Sequence, residues 1–356
     1  MQPLKQAVQL GAIVEALGGE LKGAPQTEIF IIASLEKATS GSITFLANMK
    51  YSAALESTQA SAVILPQAYA GKYEGNAIFT EDPYLYFAQL TQWWKKQADL
   101  QRTEHLQGSI SPAATVHPTA IVSPCAVIGA GAVIEANAQI GARTHVGAQC
   151  FIGENVIVGD DCRIAPQVSI LHDCRMGHRC IINSGAVIGG DGFGFAPAPK
   201  NERRWVKIEQ LGAVTIGNDV EIGSNTCIDR GAIDDTVVCD GVKLDNVIQI
   251  GHNVHIGNDS LMASCTGISG STHVGERCII GGAVGMAGHI EVADDVTVMA
   301  ATNVTKSITK SGVYSGIIPF DEAGAWRKNI ALLRHLSAMR DRIRELEEKI
   351  SQLSKN

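Results

Sequence analysis

The sequence predicts a mainly β protein: a parallel β-helix of hexapeptide repeats, with a small α/β domain before it and helices after it. Aliphatic residues recur at every sixth position through the middle of the chain, which is typical of a β-helix. Helical and strand-like stretches alternate in front of this repeat, and a heptad of apolar residues follows it. The expected boundaries are 1–100 for the α/β domain, 101–109 for a linker, 110–312 for the β-helix and 313–356 for the helical region.

Composition excludes several classes of protein. The chain has 356 residues, of which 45% are hydrophobic and 18% charged, so it is not a disordered chain. Its net charge of −7 argues against bulk nucleic-acid binding. No apolar run is long enough for a transmembrane segment, and the N-terminal residues lack the layout of a signal peptide. Nine cysteines without a CxxC pair indicate reduced thiols and a cytoplasmic location.

The six-residue repeat fills most of the central region. Aliphatic residues or Met occupy fourteen consecutive repeat positions over 110–188, three over 216–228 and twelve over 238–304. Glycine often follows the aliphatic residue, where we expect it to relieve the backbone at a tight corner. A small residue four positions after the aliphatic one should fit beside that corner. At three hexads per coil, the pattern predicts about ten coils.

The repeat also accounts for five of the nine cysteines. They occupy the small inward position of their hexads, and buried cysteine behaves as a small hydrophobic side chain. These are Cys150, Cys162, Cys174, Cys180 and Cys278. We therefore expect structural thiols here, and not redox or metal-binding ones.

Two interruptions break the repeat. Between Ile188 and Ile216 the chain carries 22 residues more than one repeat step, beginning with GGDGFGF. No helical pattern follows these glycines, so they do not predict a dinucleotide site. A protruding loop that contacts a ligand or a neighbouring subunit is favoured instead. The second interruption, 231–236, adds four residues.

The α/β domain contains one candidate binding segment, ITFLANMKY. It places Phe45 and Tyr51 six residues apart, with Asn48 between them. Two rings and an amide can sandwich a flat base and read its edge. On spacing alone, a strand end with core aromatics is the commoner arrangement.

The chain is helical from about Asp321, and a heptad seam runs along this region. Apolar residues follow one another there in steps of four and three: Leu332, Leu336, Met339, Ile343, Leu346, Ile350 and Leu353. Such a seam predicts association between chains. A basic stripe accompanies it, consisting of Arg327, Lys328, Arg334, Arg340, Arg342 and Arg344. The stripe fits either a solvated helix face or docking of an acidic partner.

One edge of the predicted β-helix combines histidines with glycines. Because a coil has 18 residues, Gly270 stacks one coil beyond His252, and His289 lies one coil further on. A base and a backbone N–H that no side chain covers are what acyl transfer needs. A surface histidine without a function is the alternative. No metal site is expected, because His172 and His178 fall on different faces of the prism.

Several segments together resemble one enzyme family. GGDGFGF, IDRGAIDDT, LDNVIQIGHNVHIG and AGHIEVADDVTV, with ITFLANMKY before them and GVYSGIIP after them, are similar to segments of the UDP-3-O-(3-hydroxyacyl)-glucosamine N-acyltransferases of lipid A biosynthesis. The resemblance covers nearly the whole chain. It implies a homotrimer in which each chain has a uridine-binding domain, a left-handed parallel β-helix and C-terminal helices. It also implies transfer of a 3-hydroxyacyl group from acyl carrier protein to the 2-amino group of UDP-3-O-acyl-glucosamine, with no bound cofactor.

The resemblance also implies roles for particular residues of the β-helix. His252 of IGHN is the implied general base, and Asp245 of LDN is the candidate to orient or charge-pair it. His289 of AGH is implied to position the substrate or stabilise the oxyanion, with the Gly270 N–H as oxyanion donor. Asn253 is implied to touch the sugar nucleotide.

Outside the β-helix, the resemblance implies that Phe45 and Tyr51 stack on uracil while Asn48 reads its edge. The basic C-terminal helix would meet the acidic carrier protein, whose phosphopantetheine arm delivers the acyl group in a groove between subunits. The sequence departs from the family at VMAATNV, where Met299 and Asn303 replace a Met-rich stretch, so acyl-chain length stays open.

A smaller departure is Gly251, where many members have Ala. Two alternative functions also stay open. One is an O-acyltransferase acting on UDP-N-acetylglucosamine, which the extra N-terminal domain argues against. The other is a non-catalytic β-helix scaffold.

Overall fold

The computed structural model describes residues 3–102, 108–317 and 320–354, and the chain divides into two compact units, Met1–Leu106 and Gln107–Asn356. Most of the linker expected at 101–109 lies outside the described residues. Residues 101 and 102 belong to a helix, and Ser109 begins the first strand of the β-helix.

The N-terminal unit is a small α/β domain, as predicted. Its five-stranded sheet has the spatial order Glu20–Lys22, Ala77–Thr80, Ala62–Pro66, Ser42–Phe45 and Ile31–Ile32, with only the first pair antiparallel. A second antiparallel pair joins Val8–Gln9 to Glu28–Ile29. The helices are Leu10–Leu17 and Pro83–Arg102, with 3₁₀ turns at Met49–Leu55 and Gln67–Tyr69.

Apolar side chains from both helices pack on one side of this sheet. Leu10 and Ile13 of the first helix and Leu90 of the second join Ile64 and Ile78 in one buried cluster. The first helix begins at Leu10, because Val8 and Gln9 before it pair as a strand.

The second unit contains the predicted parallel β-helix, a prism with three sheet faces. Within the described residues the first face has nine strands: Ile121–Val122, Gln139–Ile140, Ile157–Val158, Arg175–Met176, Val214–Ile216, Thr236–Val238, His255–Ile256, His273–Val274 and Glu291–Val292. The second has eleven: Ser109–Ile110, Val127–Ile128, His145–Val146, Arg163–Ile164, Ile181–Ile182, Glu221–Ile222, Lys243–Leu244, Leu261–Met262, Ile279–Ile280, Val296–Val298 and Gly312–Tyr314.

The third face has ten strands in the described residues: Thr115–Val116, Val133–Ile134, Phe151–Ile152, Ser169–Ile170, Val187–Gly190, Cys227–Asp229, Gln249–Ile250, Gly267–Ile268, Gly285–Met286 and Asn303–Val304. Strand counts of nine to eleven per face agree with the ten coils predicted from the hexads.

The six-residue period arises because each coil buries one aliphatic side chain per face. From Ile128 onward these side chains fill the prism and are almost wholly inaccessible to water. Ile110, in the first described coil, is 51% exposed because none of the described coils lies on its N-terminal side. The five cysteines predicted to point inward are buried, and all nine cysteines are free.

The corners of the prism depend on two different residues. The left-handed conformation falls three positions after the aliphatic residue and is adopted by polar residues such as Asn155 and Asp161. The glycines directly after the aliphatic residue serve another purpose. A Cβ on Gly147 would lie 2.6 Å from the backbone nitrogen of Pro166. Glycine at that position therefore permits close approach of the next coil. The expectation that it relieves the backbone at a tight corner is wrong.

The first interruption forms a protruding excursion, as expected, with an antiparallel hairpin of Phe195–Pro197 and Trp205–Lys207. Arg230, which is only 2% exposed, anchors the base of the excursion to the prism. The Arg230 guanidinium donates to the carbonyls of Gly189 and His172, each at 2.8 Å. A buried guanidinium with these partners fixes where the excursion leaves the coil.

The C-terminal region contains the helices Ala323–Leu333 and Leu336–Leu353. The first is capped by Glu322, whose carboxylate accepts the N–H of Gly324 at 3.0 Å. The seam side chains are exposed in the single chain. The helix breaks at 334–335 although neither residue is Gly or Pro, so the heptad spacing alone does not reveal the break. None of the helices in the described residues is both long and apolar enough to span a bilayer.

Candidate active site

The structure brings Phe45, Asn48 and Tyr51 together at a cavity of about 410 Å³ in the N-terminal unit. The Tyr51 ring is 57% exposed, so it can contact a ligand. Tyr84, which sequence reasoning missed, also lines the cavity, and its position in the helical segment PYLYF gave no distinguishing signal.

The Phe45 ring is backed by a second aromatic ring. It stacks on Phe87 with ring centroids 4.0 Å apart and an interplanar angle of 13°. One face of Phe45 is therefore occupied within the chain. Asn48 caps the 3₁₀ turn, since its Oδ1 accepts the Lys50 N–H at 3.0 Å. The amide nitrogen of Asn48 has no such capping role and can donate to a ligand.

A larger cavity, of about 1150 Å³, lies along the third face of the β-helix. One wall is the excursion, which contributes Asp191, Phe193 and Lys207. The Lys207 ammonium contacts the Asp191 carboxylate at 2.6 Å and lowers the pKa of that carboxyl group. Thus the wall contains an ion pair beside two exposed aromatic side chains, Phe193 and Phe195.

The floor of this cavity is a column of outward-facing positions on successive coils. Gln249, Gly267, Gly285 and Asn303 lie in register along the sheet. The two glycines leave the floor without side chains between Gln249 and Asn303. A Cβ on Gly267 would meet nothing within 4 Å, so the space above it is open. The column forms a trough that can take an extended chain.

His252 lies beside this trough with its ring orientation set by its neighbour. Its Nδ1 is 3.0 Å from Oδ1 of Asn253. That amide is itself fixed, because Oδ1 accepts the Ala232 N–H at 2.9 Å and Nδ2 donates to the Asp234 carbonyl at 2.7 Å. An amide oxygen only accepts, so Nδ1 carries a proton, and in the neutral imidazole Nε2 then carries the lone pair. His252 therefore presents a basic nitrogen.

This basic nitrogen faces the glycine that coil counting placed beside it. A Cβ on Gly270 would lie 2.6 Å from His252 Nε2, so the ring rests directly on the bare backbone. From the excursion side, a Cβ on Gly192 would lie 2.7 Å from His252 Cβ. His252 is therefore held between two glycines, one on the prism and one on the excursion.

The Gly270 N–H differs from the N–H groups at several equivalent corners. At those corners the N–H donates to a side chain one coil further on, as Ala142 does to Asp160 at 2.7 Å and Glu276 does to Asp294 at 2.9 Å. The residue one coil beyond Gly270 is Gly288, which offers no side-chain acceptor. Within the described residues the Gly270 N–H has no hydrogen-bond partner. It is left as a donor beside His252 Nε2.

The contacts of Asp245 and His289 give less direct support for the roles expected of these residues. Asp245 accepts from Asn246 Nδ2 and from the Ser264 N–H, each at 3.0 Å, and no hydrogen bond joins it to His252 within the described residues. The His289 N–H donates to the Gly270 carbonyl at 3.1 Å, while its side chain is exposed. The roles expected for these two side chains stay predictions.

Asp229 lines the same cavity and was missed from the sequence. Ile228 pairs with Ile250, so Asp229 lies one coil before Gly251. Its side chain hydrogen-bonds with Gln249, and burial raises the pKa of its carboxyl group. The motif IDRG contained the signal, but the second interruption lengthens this coil to 22 residues, so steps of 18 do not place Asp229 below Gly251.

Comparison with known proteins decides the family. The family model for UDP-3-O-(3-hydroxymyristoyl) glucosamine N-acyltransferase matches residues 26–93, and the bacterial transferase hexapeptide model matches 137–172 and 155–190. The UDP-3-O-acylglucosamine N-acyltransferase of Acidovorax sp. (strain JS42) is 56% identical, with 96% of this chain and 98% of the relative covered. The chain belongs to the UDP-3-O-acylglucosamine N-acyltransferase family. Its members are acyltransferases, and this chain is an acyltransferase of the lipid A pathway.

Other relatives agree with this membership. The UDP-3-O-acylglucosamine N-acyltransferase of Albidiferax ferrireducens is 52% identical over 97% of this chain and 98% of its own length. Among solved structures, Arabidopsis UDP-N-acetylglucosamine acyltransferase has a TM-score of 0.51 at 18% identity, covering 58% of this chain and 71% of that one. At that identity the likeness concerns the fold alone.

Proposed function

We propose that this member of the UDP-3-O-acylglucosamine N-acyltransferase family transfers a 3-hydroxyacyl group from acyl carrier protein to the 2-amino group of UDP-3-O-(3-hydroxyacyl)-glucosamine. The observation that carries the mechanism is that His252 Nε2 and the Gly270 N–H, which has no hydrogen-bond partner in the described residues, lie side by side in one cavity. The first group can remove a proton from an acceptor, and the second can bind the oxygen on which charge develops.

The proposed reaction is a direct attack without an acyl-enzyme intermediate. The acceptor nitrogen attacks the thioester carbonyl, whose electron pair moves onto oxygen beside the Gly270 N–H. His252 Nε2 takes the proton from nitrogen while Asn253 holds Nδ1–H in place. Collapse breaks the carbon–sulfur bond, and His252 returns the proton to the leaving thiolate. We assign His289 a supporting position at this oxyanion, and Asp245 a positioning role.

The acceptor's nucleotide is assigned to the N-terminal cavity. Uracil would stack on the free face of Phe45 and on Tyr51, with Asn48 Nδ2 donating to a base carbonyl. Base–aromatic stacking contributes about 1–3 kcal/mol per base, enough to dominate recognition of the nucleotide.

The acyl donor is assigned to the trough over Gly267 and Gly285, which can take the phosphopantetheine arm or its acyl chain. The exposed basic stripe on the C-terminal helices would meet the acidic carrier protein. The exposed seam would join three chains into a trimer, because an apolar heptad face is buried by helix association. Nine free cysteines fit a cytoplasmic enzyme.

An acyl-transfer assay tests the proposal. Purified protein is incubated with 3-hydroxyacyl carrier protein and UDP-3-O-acyl-glucosamine, beside the His252→Ala variant. We expect amide product from the wild type and a loss of kcat by about 10²- to 10⁴-fold in the variant, the usual contribution of a general base. Near-normal turnover by His252→Ala would remove its role as base. Ester product from UDP-N-acetylglucosamine, with no amide product, would favour the O-acyltransferase alternative.

A further inference from the structure

The acidic side chains that line the β-helix cavity are not all neutralised by basic ones. Within the described residues, four titratable side chains line it: Asp191, Lys207, Asp229 and His252. Asp191 and Lys207 form an ion pair at 2.6 Å. Asp229 has no cationic partner in the described part of the chain, because the adjacent Arg230 directs its guanidinium to backbone carbonyls of other coils. The cavity therefore contains one carboxylate whose charge is not neutralised.

This carboxylate is held in place on the cavity floor. The strand Cys227–Asp229 pairs with Gln249–Ile250, which puts Asp229 one coil before the backbone that leads into His252. Its hydrogen bond with Gln249 orients the side chain. A partly buried carboxylate without a cation favours a ligand that brings one.

We propose that the Asp229 carboxylate binds the acceptor's amino group as an ammonium, so that this cavity selects an amine over a hydroxyl acceptor. The inference rests on the proposed function, because it takes a 2-amino sugar as the acceptor. An ammonium brings a positive charge and three N–H donors, whereas a hydroxyl brings one donor and no charge. A sugar amine titrates like an α-amino group, at about pH 7.7–8.0, so much of it is ammonium at neutral pH.

In the proposed reaction Asp229 binds the amino group and transfers no proton. The bound ammonium loses one proton to water, which restores the nitrogen lone pair. The nitrogen then forms its bond to the thioester carbon, His252 takes the second proton, and that proton leaves on the thiol when the carbon–sulfur bond breaks. Asp229 accepts one N–H throughout and keeps the nitrogen beside His252.

Calorimetric titration of the full-length protein tests this assignment. The two probes are UDP-3-O-acyl-glucosamine and the matching UDP-3-O-acyl-glucose, which has a hydroxyl in place of the amine. We expect the wild type to bind the amine about 10- to 100-fold more tightly at pH 7, as for a hydrogen bond between charged groups. Asp229→Asn should remove most of this preference, since asparagine keeps the size and an acceptor for Gln249 but not the charge.

The pH dependence separates this role from a structural one. The wild-type preference for the amine should decline as pH rises through about 8, where the ammonium loses its charge. A wild type without a preference for the amine overturns the inference whether or not the variant folds, and so does a preference that survives in Asp229→Asn.

Asp161→Asn is the matched control, because Asp161 is an exposed carboxylate at a corner outside the cavity. It should keep the full preference. The acyl-transfer assay distinguishes a failure of the Asp229 inference from a failure of the proposed function. Amide product from a wild type that shows no amine preference rejects the role of Asp229 alone, whereas absence of amide product rejects the proposed function itself.

Discussion

The N-terminal cavity is walled by the rings of Phe45, Tyr51 and Tyr84, whereas the floor of the β-helix cavity is made by Gly267 and Gly285. In the first, side chains at the end of a strand and in a 3₁₀ turn supply the contact surface. In the second, the two glycines leave out side chains from a regular array, and we propose that the acyl donor occupies the space so created. The difference predicts opposite responses to mutation: the first site is damaged by removing atoms and the second by adding them.

The largest effect is expected from one added methyl group at Gly270. Gly270→Ala would put Cβ 2.6 Å from His252 Nε2, so the ring must move away from its position, and the added methyl group crowds the oxyanion beside the Gly270 N–H. We expect kcat to fall by about 10²- to 10³-fold, as for loss of an oxyanion donor, with KM for the nucleotide sugar little changed. Steady-state kinetics measure both values.

Gly282→Ala is the control for this change. Gly282 occupies the same hexad position at another corner, where a Cβ would come no closer than 3.3 Å to its nearest neighbour, the Ser264 carbonyl. It should retain most of its kcat. An equal loss in both variants would show that the effect comes from the prism and not from His252.

An intermediate effect is expected from removing atoms in the N-terminal cavity. Phe45→Ala deletes the ring that Phe87 backs, and with it about 1–3 kcal/mol of stacking. KM for the nucleotide sugar should rise about tenfold or more while kcat stays near the wild-type value. Phe45→Tyr keeps the ring and should keep a low KM. A fall in kcat at unchanged KM would contradict the assignment.

The smallest effect is expected at the corners, where side chains stack along the outside of the prism. The Arg143 guanidinium donates to Asp161 at 2.6 and 2.7 Å and lowers the pKa of that carboxyl group. A lowered folded-state pKa stabilises the protein above the unfolded value of about 3.9, and the gain is lost as pH falls through the folded value. Asp161→Asn should lower Tm by no more than about 2 °C at pH 7, because the pair is exposed.

Thermal unfolding of both proteins at pH 7 and near pH 3 checks this sign. The difference in Tm should shrink at the lower pH, because the gain from the lowered pKa is lost progressively below the unfolded value of about 3.9. A difference that grows in acid would show that Arg143 is not its cause.

The coil arithmetic predicted much of the β-helix because one rule repeats without regard to tertiary contacts. It placed Gly270 against His252, and the structure brings Nε2 onto that glycine. The same arithmetic failed at Asp229, because its coil is lengthened by the second interruption. Steps of one 18-residue coil identify stacked neighbours only where no insertion shifts the repeat.

The direction of side chains was the second feature that residue spacing could not predict. Asn253 is expected to touch the sugar nucleotide, and this stays a prediction, but its contacts with Ala232, Asp234 and His252 within the chain, through which it orients the His252 ring, were not foreseen. Asp245, seven residues before His252, turns to Asn246 and Ser264. Both outcomes depend on rotamers and loop backbones, which residue spacing does not encode.

The excursion at Gly189 shows how the prism can be elaborated. Arg175 pairs with Thr215 and Met176 with Ile216, so adjacent coils stay in register although a whole hairpin separates them in sequence. Stacking is therefore decided by the coil beneath and not by the length of chain between coils. A corner can lengthen, shorten or exchange its loop while the buried ladder stays intact. The prism is in this sense an invariant platform, and new binding chemistry can be introduced on it one corner at a time.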